Sequence, residues 1–202
     1  MSTGNTVSHV TTGKPKVAGA IYTAPLGTTL PTDATSALAE AFVCVGYISD
    51  GGVVNENSPE TEVIKAWGGD TVLVTLQSKD DTFQFTMIEA MNIDVLKAIY
   101  GDDNVTGSLE EGIKIQATNE LPDERSWVID MIYRGDGVKR VCIPDASVSE
   151  VGAINYTDSD PVGYETTLNC MPDTEGVTHY EYLFKAATST KTTTTTNSTA
   201  GE

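Results

Sequence analysis

The sequence predicts a mainly β protein, an antiparallel β-sandwich or barrel with one short flanking α-helix. Three observations carry this. The middle of the chain breaks into short β-rich runs separated by turns built on Gly and Asp. Several of those runs alternate apolar and polar residues, and only one segment combines helical periodicity with a start and a stop signal. At 202 residues and 39% hydrophobic, the chain has enough apolar material for a core without a metal or a disulfide. Residues 1–16 are polar and Gly/Thr-rich and are predicted to form a flexible arm. Residues 17–186 form the β domain. Residues 187–202 include a run of five threonines, cannot offset their own ordering entropy, and are predicted to stay flexible.

Taken in order, Ala41–Ile48 is a continuous β-rich run ending at Asp50-Gly51-Gly52, and is predicted as a well-buried strand. Val53–Glu56, Glu62–Trp67 and Thr71–Gln77 follow, with Trp67-Gly68-Gly69-Asp70 as a tight hairpin turn. Thr82–Glu89 places Phe83, Phe85 and Met87 on one face. The helix starts at Asn92, which can cap it, with Asp94 in the first turn; Ile93, Leu96 and Tyr100 share a face and Gly101 provides the exit. Trp127–Arg134 and Val138–Ile143 are joined by Gly135-Asp136-Gly137, and Tyr164–Met171 and His179–Ala186 complete the strands.

Charge narrows the function. Twenty-nine acids against twelve bases leave −17. A protein that grips nucleic acid needs basic patches to release counterions, and docking on an anionic membrane needs the same. Both are excluded. Cys44, Cys142 and Cys170 are odd in number and widely spaced, which suits buried thiols in a reducing cytoplasm better than a disulfide framework. The first residues lack the charged and apolar regions of a signal peptide, and no apolar run reaches 18 residues.

Nothing in the chain reads as an active site. His9 and His179 are the only histidines, and His179 alternates with Glu181 and Leu183, which predicts a surface strand position. There is no Gly-x-Ser-x-Gly elbow, phosphate loop or zinc spacing. Asp102-Asp103-Asn104 and Asp158-Ser159-Asp160 do not continue into a calcium loop and read as solvated acidic turns. Arg134-Gly135-Asp136 reads as a hairpin turn. No cofactor and no metal are expected. The acids cluster: Asp50 to Glu62 contains no base, and neither does the chain between Arg140 and Lys185.

Ordered text adds to this reading. Tyr47-Ile-Ser-Asp-Gly-Gly-Val, Lys65-Ala-Trp-Gly-Gly-Asp-Thr-Val, Thr82-Phe-Gln-Phe-Thr-Met-Ile-Glu, Val95-Leu-Lys-Ala-Ile-Tyr-Gly, Lys139-Arg140-Val-Cys-Ile-Pro-Asp-Ala and Gly163-Tyr-Glu-Thr-Thr-Leu follow one another in an order that resembles the major tail tube protein of long-tailed bacteriophages. The resemblance spans roughly residues 14–186. It implies a tail-tube-protein-like fold and a structural, non-enzymatic virion protein, assembled in the host cytoplasm into the virion tail. The implied partners are further copies of the chain in stacked hexameric rings, a tape measure protein, and tail terminator and tail tip proteins. DNA would pass through a β-lined channel without specific binding, and no membrane is involved. Terminal segments and a long loop would order as rings stack.

A channel wall should be hydrophilic and neutral or negative, because cationic side chains would hold passing phosphates. Asp50, Glu56, Glu60 and Glu62 are therefore the channel-lining candidates. Lys65, Trp67, Lys139 and Arg140 are the inter-subunit candidates, the bases because they are few and could pair with a neighbour's acids. For Trp67, a core anchor and an interface anchor are both open. The competing class is a non-catalytic sugar-binding or adhesive β-sandwich module, against which stand the 7% aromatic content and the cysteine pattern.

Overall fold

Strand alternation organises this molecule. The computed structural model describes residues 4–16 and 19–186; the Thr-rich segment 187–202 lies outside the described residues. The chain runs through β1 (Gly13–Pro15), β2 (Ile21–Pro25), β3 (Val43–Cys44), β4 (Ile48–Lys65), β5 (Thr71–Met87), α1 (Ile93–Tyr100), β6 (Val105–Ser108), β7 (Gly112–Ile115), β8 (Arg125–Tyr133), β9 (Gly137–Val151), β10 (Tyr164–Met171) and β11 (Tyr180–Lys185). One antiparallel sheet has the order β3-β2-β8-β9-β10-β5-β4, with β1 also on β8 and β11 also on β9; β6 and β7 form a separate hairpin. Inward residues from both ends of this order meet in one core. Ile21 on β2 and Phe83, Phe85 and Met87 on β5 share it with Trp127, Ile143 and Leu168, so the sheet curls around it. The fold is mainly β with one short helix, as the sequence predicts.

The helix occupies Ile93–Tyr100, with the Asn92 side chain accepting the Asp94 N–H at 3.0 Å. Gly101 ends it at φ 92°, its N–H donating to the Lys97 carbonyl. Its buried residues are Val95, Leu96, Ala98 and Ile99; Ile93 and Tyr100 of the expected face are only partly buried. In a two-turn helix the buried stripe is set by the sheet it meets, here shifted toward the residues between Ile93 and Tyr100.

Three strand expectations change. Ala41–Ile48 is not one strand: Val43–Cys44 pairs with β2, and Ile48 already belongs to β4, opposite Met87. The break is at Gly46, whose φ of 74° turns the chain against the Glu89 carboxylate, which a Cβ would strike; that carboxylate accepts the Tyr47 N–H at 2.9 Å. The four runs between Val53 and Glu89 are two long strands. Pro59 does not interrupt β4 because β4 is the sheet's edge and needs no donor on its open side. The polar Lys79-Asp80-Asp81 stretch does not interrupt β5 because the buried Asp81 carboxylate is satisfied by the partners described below. The expected strand Val138–Ile143 continues past Pro144 to Val151, pairing β8 first and then β10. β1, β2, β6 and β7 were not anticipated, their runs being too short to show a period, and β1 ties Gly13–Pro15 of the expected flexible arm to β8.

On the far side of β8 and β9 from this core, a buried ion pair holds the chain together. Arg140 Nε donates to Asp130 Oδ1 at 2.6 Å and Nη2 to Oδ2 at 2.9 Å. Arg140 Nη1 donates to the carbonyls of Asp33 and Ser36, so the long segment between β2 and β3 is tied across this face. Lys16 adds a second cation to Asp130 at 3.2 Å. Removing one partner of a buried pair leaves an uncompensated charge, at about 3–5 kcal/mol. Arg140→Met is therefore expected to lower the urea-unfolding free energy by about that much, whereas Arg140→Met with Asp130→Leu should recover most of the loss. Equal destabilisation by the single and double variants would show that the pair is not what holds this segment.

Candidate functional site

The strands β4, β5, β10 and the second half of β9 lie side by side, and alternation gives their shared sheet two unlike faces. Inward lie Val53, Phe83, Phe85, Leu168, Cys170 and Val148. Outward, the register places Glu56 opposite Thr82, Ser58 opposite Asp80, Glu60 opposite Ser78 and Glu62 opposite Thr75. On the next strands Glu165 stands opposite Thr86, Thr167 opposite both Gln84 and Glu150, and Asn169 opposite Thr82 and Ser147. Glu56, Glu60, Glu62, Asp80, Glu150 and Glu165 are all exposed. No Lys or Arg of these strands falls on this face: Lys65 and Lys79 share the opposite parity, that of Val53 and Phe85.

Hydrogen bonds knit the acids into the wall. Gln77 Nε2 donates to Glu62 at 2.6 Å, the Ser78 hydroxyl to Glu60 at 3.3 Å, and Gln84 Nε2 to Glu165 at 3.0 Å. At the edge of the face, burial and then the Glu124 charge push the Asp145 carboxyl above its ordinary value. A face of carboxylates, amides and hydroxyls, with Val54 among them and no cation, can wet a surface and repel phosphates. Among the described residues no cluster of His, Cys, Asp or Glu could hold a metal ion.

The β4–β5 pair then leaves the body of the protein. Ladder pairing continues from Asn57 opposite Asp81 to Lys65 opposite Thr71, although no residue from Val54 to Asp80 is buried. The hairpin closes with the Ala66 N–H on the Asp70 carbonyl and the Gly69 N–H on the Ala66 carbonyl. Gly68 and Gly69 have φ of 128° and 102°, which only glycine adopts readily. Trp67 at the tip is fully exposed, at 104%. Val63, Val74 and Leu76 stand exposed on the face continuous with the core side, and Ile64 and Leu73 on the acidic side near the tip.

Where the hairpin leaves the core, Asp81 is buried and fully bonded. Its carboxylate accepts from Asn55 Nδ2 at 2.9 Å, the Thr178 hydroxyl at 2.5 Å and His179 Nδ1 at 2.5 Å. His179 also meets the Phe83 ring edge-on. The expected surface position for His179 is thus corrected: it precedes β11, is largely buried, and clamps the hairpin root.

The predicted site residues separate. Glu56, Glu60 and Glu62 lie together on the acidic face. Asp50 does not join them; it is exposed in the extra residues that β4 inserts between Ile48 and Val53, beside a cleft. Lys65 and Trp67 are at the hairpin tip, and full exposure removes the core-anchor alternative for Trp67. Lys139 pairs with Glu181 at 2.5 Å within the chain, and Arg140 is buried on Asp130, so neither cation is free for a neighbour. Sequence reasoning missed Asp80, Glu150 and Glu165 on the face. The last two lie in the base-free stretch after Arg140, which was the available signal.

The chain matches the family model for phage tail tube proteins over residues 9–195. It belongs to that family. No curated protein matches it. A tail tube protein is a structural component of the virion tail and self-associates into a tube.

Burial pushes the Asp81 carboxyl up, but hydrogen bonds from Thr178, Asn55 and His179 outweigh it and hold it below its ordinary value. A depressed carboxylate stabilises the fold above its unfolded pKa, near 3.9, and the contribution is lost as pH falls through the folded value. Asp81→Asn is expected to cost about 1–3 kcal/mol at neutral pH. In chemical denaturation, the gap between wild type and variant should narrow below about pH 4. A gap independent of pH would remove the ionised clamp.

Proposed function

We propose that this tail tube protein, of the long-tailed phage type, assembles as hexameric rings that stack around a tape measure protein, and that its role is mechanical rather than catalytic. The outward face of β4, β5, β10 and β9 lines the channel through which the genome leaves. The observation that carries this is the composition of that face: exposed carboxylates on every strand, mostly amides and hydroxyls between them, with Val54 among them, and no cation. A lysine at 4 Å from a phosphate adds about 1 kcal/mol of attraction even in water, and a ring multiplies each such contact. A wall without lysine or arginine lets DNA slide. Its carboxylates act only near the wall, over a Debye length of about 8 Å at physiological salt.

Rings close by edge-to-edge contact between copies, since main-chain hydrogen bonds are indifferent to side-chain charge. The open edges include β1 and β11, which flank β8 and β9 at one end of the sheet. The arm, residues 1–16, and the tip residues Lys65 and Trp67 make contacts between rings. The tail terminator and tip proteins cap the two ends, and assembly takes place in the host cytoplasm.

At −17 per chain, copies repel one another, so tube formation by purified protein should strengthen as salt rises from 20 to about 300 mM, screening the repulsion. Glu60→Lys with Glu62→Lys should leave the subunit folded and tails of normal appearance, and should slow genome delivery, most at low salt. Ejection at the wild-type rate from normal tails would remove this face from the channel.

A further inference from the structure

A tube grows along its axis only through a heterologous contact, in which two different patches of one chain meet on successive copies. An isologous contact closes on itself and stops. Resting on the tube reading above, two complementary patches are needed, and the molecule carries a matched pair. One is the hairpin tip: Trp67, fully exposed between Lys65 and Asp70, with Ile64 and Leu73 beside it. The other is a cleft of about 1070 Å³ between β1 and the start of β4, walled by Pro15, Tyr47, Ile48, Val53, Met131 and Tyr133. Lys14 and Asp50 also line this cleft, and both are exposed.

We propose that the Trp67 tip of one copy docks in this cleft of a second copy, with Asp70 toward Lys14 and Lys65 toward Asp50. The tip cannot serve its own cleft. Val53 lines the cleft and Trp67 lies 14 residues further along β4 and the turn, about 45 Å away at strand rise, with the paired ladder holding the hairpin extended. The occupant is therefore a second copy, and the chemistry matches on both counts. An aromatic side chain with no cover meets an aliphatic and aromatic cleft. One cation and one anion at the tip meet Lys14 and Asp50 at the cleft, whose other charged lining residues are engaged within the chain, Lys16 by Asp130 and Glu89 by Tyr47 and Asn92. The contact is head-to-tail, so each subunit offers one tip and one cleft and the series stays open.

The test uses the full chain with Lys65→Cys and Asp50→Cys together, which keeps Trp67 and both apolar surfaces. Both positions are exposed, so the subunit should fold, and circular dichroism checks this. After oxidation of assembled tubes, non-reducing electrophoresis should show a ladder well beyond dimer, and neither single variant should give it. Separately, Trp67→Ala should raise the protein concentration needed for tube formation at least tenfold. Tubes that form normally but yield no cross-link, or only dimers, overturn the docking while leaving the tube reading standing. Wild-type protein that forms neither rings nor tubes at any salt concentration, with or without tail initiator proteins, overturns both.

Discussion

Side chains alternate across a β-strand, and in the β4–β5 ladder this constraint is applied twice. Along the first stretch it buries Phe83, Phe85 and Met87 and turns Gln84 and Glu56 outward. The ladder then continues past the core without losing its pairing, so the same two faces are carried into solvent. One becomes the acidic face extended beyond the body; the other becomes an apolar surface, Val63, Val74 and Leu76, exposed among the described residues. The functional reading depends on this continuation. An isolated two-stranded hairpin is marginal in water, so the root must be secured, which Asp81 achieves by drawing Asn55, Thr178 and His179 onto one buried carboxylate.

Charge and assembly pull against each other in such a protein. A surface poor in cations suits a channel and resists association. The few cations are accordingly placed with care: Arg140 and Lys16 neutralise the buried Asp130, Arg125 meets Asp102 at 2.9 Å, and Lys139 meets Glu181. The electrostatic ties within the subunit thus consume bases that composition alone would offer to a neighbour. What is left for contact between copies is apolar surface, open strand edge and a few exposed bases such as Lys14 and Lys65.

Much of this was legible in the sequence wherever a local signal was strong. The alternation from Thr82 to Met87, the capping of α1 by Asn92 and Gly101, the Gly68-Gly69 turn and the strand Tyr164–Met171 all follow from short-range rules. The acidic face was legible in part, because Glu56, Glu60 and Glu62 sit on one strand at even spacing. Its remaining members are brought in by β10 and β9, far along the chain, and only register places them beside β5. Length was misread for the same reason. Pro59 and the run Lys79-Asp80-Asp81 look like breaks until β4 is seen to be an edge and Asp81 to be buried with hydrogen-bond partners. Arg140 looked free because its partner is across a strand pair, and His179 looked exposed because its partner is Asp81 on a distant strand.

The central claim is that the base-free face of β4, β5, β10 and β9 forms the inner wall of the tube. Electron cryomicroscopy of assembled tubes at a resolution that separates strands tests it directly. Glu60, Glu62, Asp80 and Glu165 should point into the lumen of every ring, with α1 outside. A reconstruction that put α1 or the β6–β7 hairpin toward the lumen, and these carboxylates on the exterior, would contradict the account.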